Sequence, residues 1–207
     1  MAHHHHVEAQ NQSPHRAKPA PVLESLRKRT TDVHNRLHGH PVLVDLTSNT
    51  LTSECYVRAL RALERFHESV ERALDPSETT FVFSPAIGRD LDALRAGANP
   101  LPACPALPRV TSDDEALGVG YVLEGSAMGG QLIARSVADT FGWPRDAAGL
   151  SHFRRDGVKA GRAWRDFLNR LQEECGDTER CTDAAVRTFQ LLEDWLWQVH
   201  KMEQSAG

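Results

Sequence analysis

Apolar residues recur along this chain at spacings of three and four, and they predict about seven helical segments and no strand. The first segment runs from Pro21 to His38. Leu23, Leu26, Thr30, His34 and Leu37 share one face, Pro21 suits a helix start, and Gly39 with Pro41 closes the segment. A short segment follows around Val42–Thr47. Thr52-Ser53-Glu54 opens a long helix to Leu74, stopped by Asp75-Pro76, with Tyr56, Leu60, Leu63, Phe66 or His67, and Val70 on its apolar face. Ser84-Pro85 starts a helix through Leu94 that ends at Gly97, and residues 97–110, with four prolines, read as a loop. Ser112-Asp113-Asp114-Glu115 has the capping and acidic residues of a helix N-terminus. That helix runs to about Phe141, where Gly142-Trp143-Pro144 ends it. Ser151 to Cys175 reads as one further helix. The last runs from Arg180 to Glu203, with Val186, Phe189, Leu192, Leu196 and Val199 along it. No repeat and no second compositional regime appears, so the expected architecture is one all-α, multi-helical bundle over residues 22–204.

The helix that begins at Asp113 breaks its own pattern. Residues 118–135 have the apolar periodicity of a buried helix, through Tyr121, Val122, Leu123, Met128, Leu132 and Ile133, yet Gly125, Gly129 and Gly130 lie inside it. Each interior glycine costs about 1 kcal/mol relative to alanine, so the three cost roughly 3 kcal/mol. A helix with that penalty needs its backbone to bend or to approach something closely. Gly125 and Gly129, four apart, share a face. Tight helix–helix packing and close approach of a flat ligand both account for them. A membrane GxxxG does not, because Glu124, Gln131 and Arg135 interrupt the apolar run.

Composition narrows the field. The chain of 207 residues carries a net charge of −4 and no wide basic tract, so no nucleic-acid partner is expected. No apolar run approaches the ~20 residues of a spanning helix, so no membrane association is expected. Met1 to His6 reads as an expression tag and residues 7–21 as a polar, disordered arm. Cys55, Cys104, Cys175 and Cys181 lack CxxC spacing, which weakens zinc-site and disulfide readings and points to a reducing cytoplasm. A diiron carboxylate bundle needs Glu-x-x-His on two helices. Glu64 to His67 supplies one such pair, and Glu193 meets Leu196 at the required offset.

Two segments together change the picture. Leu26-Arg27-x-x-Thr30-x-x-x-His34-x-x-Leu37 is followed by Tyr121-Val122-Leu123-Glu124-Gly125-Ser126-x-x-Gly129-Gly130-Gln131. The combination resembles the heme oxygenases, most of all the bacterial branch that makes biliverdin for bacteriophytochromes. Residues 103–108, Ala-Cys-Pro-Ala-Leu-Pro, resemble the loop leading into the glycine helix in that branch. Gly157-x-x-x-Gly161-x-x-Trp164 resembles a further helix of the family. The match runs from about residue 22 to residue 170 in the family's order.

The resemblance implies a heme-oxygenase-like fold in which heme is both substrate and cofactor. His34 would be the iron ligand, with His38 and His40 as rivals by position. Gly125, Ser126 and Gly129 would form the catalytic face where O2 reacts. Arg27, Thr30, Tyr121, Gly130, Lys159 and Arg162 would contact the ring or its propionates. It further implies an electron donor such as a ferredoxin or flavodoxin, and a bacteriophytochrome as recipient of the product. Two positions depart from the family. Many members place an aspartate after the first glycine to hold water, where this chain has Ser126, a serine that the bacteriophytochrome-linked branch also carries. A tyrosine often precedes the equivalent of Gly157, and here it is Asp156. These departures keep a second reading open, a heme carrier or sensor of the same fold without turnover. A thiamin-degrading bundle is a third.

Overall fold

The computed structural model describes residues 21–74, 82–155 and 157–206, and among them every regular element is helical. The tag and arm expected over residues 1–21 fall outside this set except for Pro21, the first residue of α1. Seven α-helices follow in order: α1 Pro21–His38, α2 Ser53–Ala73, α3 Ser84–Ala93, α4 Asp113–Phe141, α5 Ser151–Arg154, α6 Gly157–Glu174 and α7 Thr178–Ala206. A 3-10 turn, Val44–Thr47, joins α1 to α2.

Local chemistry accounts for most of the boundaries. The Thr52 side chain accepts from Cys55 N at the start of α2, and Ser112 accepts from Glu115 N at the start of α4. The Glu115 carboxylate reaches back to Thr111 N at 2.8 Å, so one donor of the first turn and the N–H just before the N-cap are both met by side chains. Gly142 ends α4 in the left-handed region, with φ 64°. The Glu71 carboxylate of α2 accepts from the backbone N–H groups of Phe83 and Ser84, and so ties α3 to α2. The expected stop for α2, Asp75-Pro76, lies outside the described residues.

Helix α4 is the axis of the bundle, packed against α7, α6 and α5, while α1 lies along α7 and α2 along α3. The α4–α7 approach is closest at Gly118, where a Cβ would stand 2.0 Å from the Cys181 carbonyl oxygen. From α7, the buried Trp195 indole donates to the Ala62 carbonyl of α2 at 2.8 Å. Tyr56 donates its hydroxyl to Gly149 O at 2.6 Å. Both Phe66 and His67 are buried on α2, so that face is wider than its periodicity required.

Three expectations are corrected. Residues 151–175 are not one helix: α5 ends at Arg154, Arg155 leaves helical geometry with φ 10° and ψ 95°, and α6 begins at Gly157. The periodicity had no means of registering this break, because Arg155 is held by tertiary contacts to Phe83 and Glu124. Met128 and Leu132 are not core residues, being 41% and 66% exposed. And although Leu23, Leu26, Thr30 and Leu37 are buried on α1, His34 in the same stripe is exposed. At that turn α1 faces an open cavity instead of another helix.

Candidate functional site

The cavity measures about 600 Å³ and lies between α1 and α4, within the range of small-molecule sites. His34 and His38 of α1 border one side. Gly125, Ser126 and Gly129 of α4 border another, and Phe189 and Leu192 of α7 with Trp164 of α6 add apolar surface. His34 is open to solvent on one side, but the cavity walls desolvate it enough to lower its pKa, and the neighbouring His38 lowers it further, against a hydrogen bond to Asn35. The imidazole is therefore neutral near pH 7 and keeps a lone pair for a metal ion. His38 stands edge-on to it, with ring centroids 4.6 Å apart. His40, the other rival, is 2% exposed, does not border the cavity, and accepts from Val42 N through Nδ1.

The glycines of α4 divide by role. At Gly129 a Cβ would meet nothing within 4 Å, so that position opens onto free space. At Gly125 it would touch only the Trp164 ring, at 3.7 Å, an ordinary contact. At Gly130 it would lie 2.9 Å from the Phe153 carbonyl, so this glycine is required for α5 to close on α4, although it also borders the cavity. The Ser126 hydroxyl donates to Leu123 O at 2.7 Å, which commits its only proton to the helix backbone.

The heme oxygenase family profile matches residues 20–198. The chain belongs to the heme oxygenase family. No curated protein sequence matches it. Among solved structures it is similar to the heme oxygenase of Leptospira interrogans, with 18% identity, a TM-score of 0.64, and 84% of this chain and 98% of that one covered. The heme oxygenase of Neisseria meningitidis, solved with NO and CO, gives 21% identity and a TM-score of 0.62 over 86% of this chain and 91% of that one. Heme oxygenase-1 of the cyanobacterium Synechocystis, solved with heme, gives 12% identity and a TM-score of 0.63 over 89% and 95%. At these identities the structures speak for the fold, and the heme oxygenase fold is what this chain has.

The residues around the cavity suit heme. A neutral imidazole faces an apolar space that the α4 backbone can border without side chains, and Arg27 borders the same space from the exposed side of α1. Thr30 donates to Leu26 O at 2.7 Å and lies against Tyr121. Burial raises the Tyr121 phenol, while a hydrogen bond to Thr30 and the Arg27 charge pull it down. Arg27, Thr30 and Tyr121 thus meet at one edge. Arg162 is exposed on α6 and does not border the cavity. The Lys159 side chain and Asp156 are outside the described residues.

A buried polar group on the cavity wall escaped the sequence reading. His67 of α2 and His152 of α5 stand 5.3 Å apart, edge to face. Arg155 lies over the Phe83 ring, its Cζ 4.3 Å from the centroid, with Nη1 3.6 Å from Glu124 Oε1. Burial drives the His67 pKa well down, and His152 is pushed down to about 4, Arg155 adding to both. These imidazoles fold neutral and become protonated more readily in the unfolded chain. Their contribution to stability is therefore present above about pH 6.5 and lost as pH falls towards 4, at up to about 1.4 kcal/mol per unit for each. Burial raises Glu124 and so acts in the opposite sense. Thermal melts of the heme-free protein should fall steeply between pH 6.5 and 4.5, and His152→Phe should flatten that fall. An unchanged slope in this variant would show that other groups govern acid stability.

Proposed function

We propose that this protein opens heme to biliverdin, ferrous iron and carbon monoxide, using O2 and electrons from a ferredoxin- or flavodoxin-like donor in the cytoplasm, and that the biliverdin serves a bacteriophytochrome. The observation that carries the reading is a neutral His34 across one cavity from the side-chain-free surface at Gly129, in a chain of the heme oxygenase family. Bound heme supplies the iron that activates O2 against the ring's own carbon. The protein's part is to hold the iron at one nitrogen, to exclude bulk water with apolar walls, and to fix the ring's rotation. Adding hemin to tag-free protein, then ascorbate in air, tests it. A histidine-type heme spectrum followed by the biliverdin band is the expected result. A stable heme spectrum without pigment would favour the carrier or sensor reading, which the committed Ser126 hydroxyl otherwise supports.

The propionates require cations. Arg27 is the arginine that borders the cavity from α1, whereas Arg162 stands away from it. A charge-assisted hydrogen bond contributes about 1.5–3 kcal/mol, less where the cation is solvated, as Arg27 is. Arg27→Ala should therefore weaken hemin affinity about fivefold to tenfold and broaden the biliverdin isomer distribution, as seen by chromatography of the pigment. Arg162→Ala should change affinity by less than about twofold. The reverse order would move the propionates to the α6 side.

A further inference from the structure

Helix α6 ends at Glu174 and α7 begins at Thr178, and the turn between them carries two thiols to one corner of the bundle. Cys175 directly follows α6, and Cys181 lies six residues on, in the opening turns of α7. Their spacing gives no CxxC signal, yet the Cys181 thiol lies against the Cys175 sulfur, in position to donate to it. The turn that joins them is fixed from outside. The Asp114 carboxylate at the start of α4 accepts from Gly176 N at 2.8 Å and from Asp177 N at 3.0 Å, and Cys181 N donates to Asp177 O at 3.0 Å. The Cys181 carbonyl is seated where Gly118 lets α4 and α7 close. Two cysteines can be bridged only where the backbone already holds them together, and this corner does so. The two differ in access. Cys181 is 0% exposed, whereas Cys175 is half-buried. Burial raises both thiols and keeps them protonated, so they react slowly. The Cys181 S–H and Thr178 favour the Cys175 thiolate, and Asp114 opposes it. The thiolate that forms first is therefore on the accessible cysteine, with the buried thiol beside it.

We propose that Cys175 and Cys181 are a reversible thiol–disulfide pair, oxidised by a hydroperoxide such as hydrogen peroxide, and that the bond locks the corner where α6, α7 and α4 meet. The Cys175 thiolate attacks the O–O bond of hydrogen peroxide, takes up one oxygen as a sulfenic acid, and releases the other as water. The Cys181 thiol then attacks the Cys175 sulfur and expels the hydroxyl as a second water. One S–S bond forms, two S–H bonds are lost, and two electrons pass from the sulfurs to the peroxide. Among the described residues no group of three or more metal-ligating side chains gathers here, which leaves the redox couple as the chemistry of the pair. Neither cysteine borders the cavity, so the lock acts on the joint between the helices that bring Trp164 and Phe189 to it. The proposal does not rest on heme turnover. Cys55, half-buried, and Cys104, buried, serve as internal controls.

The test exposes the fully reduced, heme-free protein to a small excess of hydrogen peroxide, blocks free thiols by alkylation, and digests with trypsin in the absence of reductant. Arg180 lies between the two cysteines, so a disulfide should hold the peptide of residues 171–180 to that of residues 181–187. The linked species should be two hydrogens lighter than the two peptides together, and Cys55 and Cys104 should be recovered alkylated. Closing so short a loop in a chain of this length should raise Tm by about 3–9 °C, and dithiothreitol should reverse both changes. Cys181→Ala should halt the reaction at a Cys175 sulfenic acid that dimedone traps, with no rise in Tm. Cys175→Ser changes a half-buried side chain and so keeps the fold, and it should leave Cys181 unreacted. Linkage of Cys175 to Cys55 or to a second chain would overturn the pair. So would a Cys175 that stays reduced, or one that is oxidised without linkage to Cys181. A linked pair with unchanged Tm would overturn the lock.

Discussion

His34→Ala is expected to abolish the histidine-type spectrum of the hemin-loaded protein and to lower hemin affinity by more than the 10–100-fold typical of losing an outer partner of a metal ligand. The expectation follows from placement and protonation together. His34 borders the cavity, burial and His38 hold it neutral, and no side chain hydrogen bond other than that with Asn35 opposes this. Alanine leaves a hole of imidazole size on the cavity wall, so free imidazole should restore the spectrum without restoring the covalent tether. His38→Ala should keep the spectrum, because His38 abuts His34 edge-on one turn nearer the end of α1. Absorption titrations of the two variants decide it. Loss in His38→Ala with retention in His34→Ala would transfer the iron to His38.

How much of this was readable without coordinates depends on where each signal resides. Helix ends that rest on local chemistry were legible: Thr52, Ser112 and Gly142 cap α2 and α4 where side-chain acceptors and a left-handed residue are required. The two sides of the cavity were legible too, since His34 and the interior glycines violate their own helical patterns. What stayed hidden depends on contacts between distant segments. Arg155, where α5 ends, meets Glu124 and Phe83 from distant parts of the chain, and those contacts leave no mark in the local periodicity. His67 looked like an alternative to Phe66 in a core stripe, and its meeting with His152 spans the bundle. The exposure of Leu132 follows from the same cause as that of His34: α1 and α4 stand apart here, and apolar periodicity records a face without recording what lies opposite.

The glycines of α4 allow a separation of shape from stability. Gly129→Leu should leave the fold intact, because the added side chain enters open space and helix propensity improves by about 0.5–1 kcal/mol. It should nonetheless cut biliverdin formation by about 100-fold or more, since the leucine would occupy the room that a planar ring and O2 need, and a displacement near 1 Å suffices for a loss of that size. Gly118→Ala should do the opposite. Its Cβ would stand 2.0 Å from the Cys181 carbonyl and 2.9 Å from the Ala184 Cβ, so α4 and α7 must move apart. Overpacking of this kind costs about 1–3 kcal/mol, which for a chain of this length lowers Tm by roughly 2–12 °C. Gly118 does not border the cavity, so turnover per folded molecule should persist below the melt. Circular dichroism melts and pigment yield, measured on both variants, separate the two effects. A Gly129→Leu protein with normal yield would mean that the ring does not lie against this stretch of α4. A Gly118→Ala protein as stable as the parent would mean that the α4–α7 contact yields more easily than its distances imply.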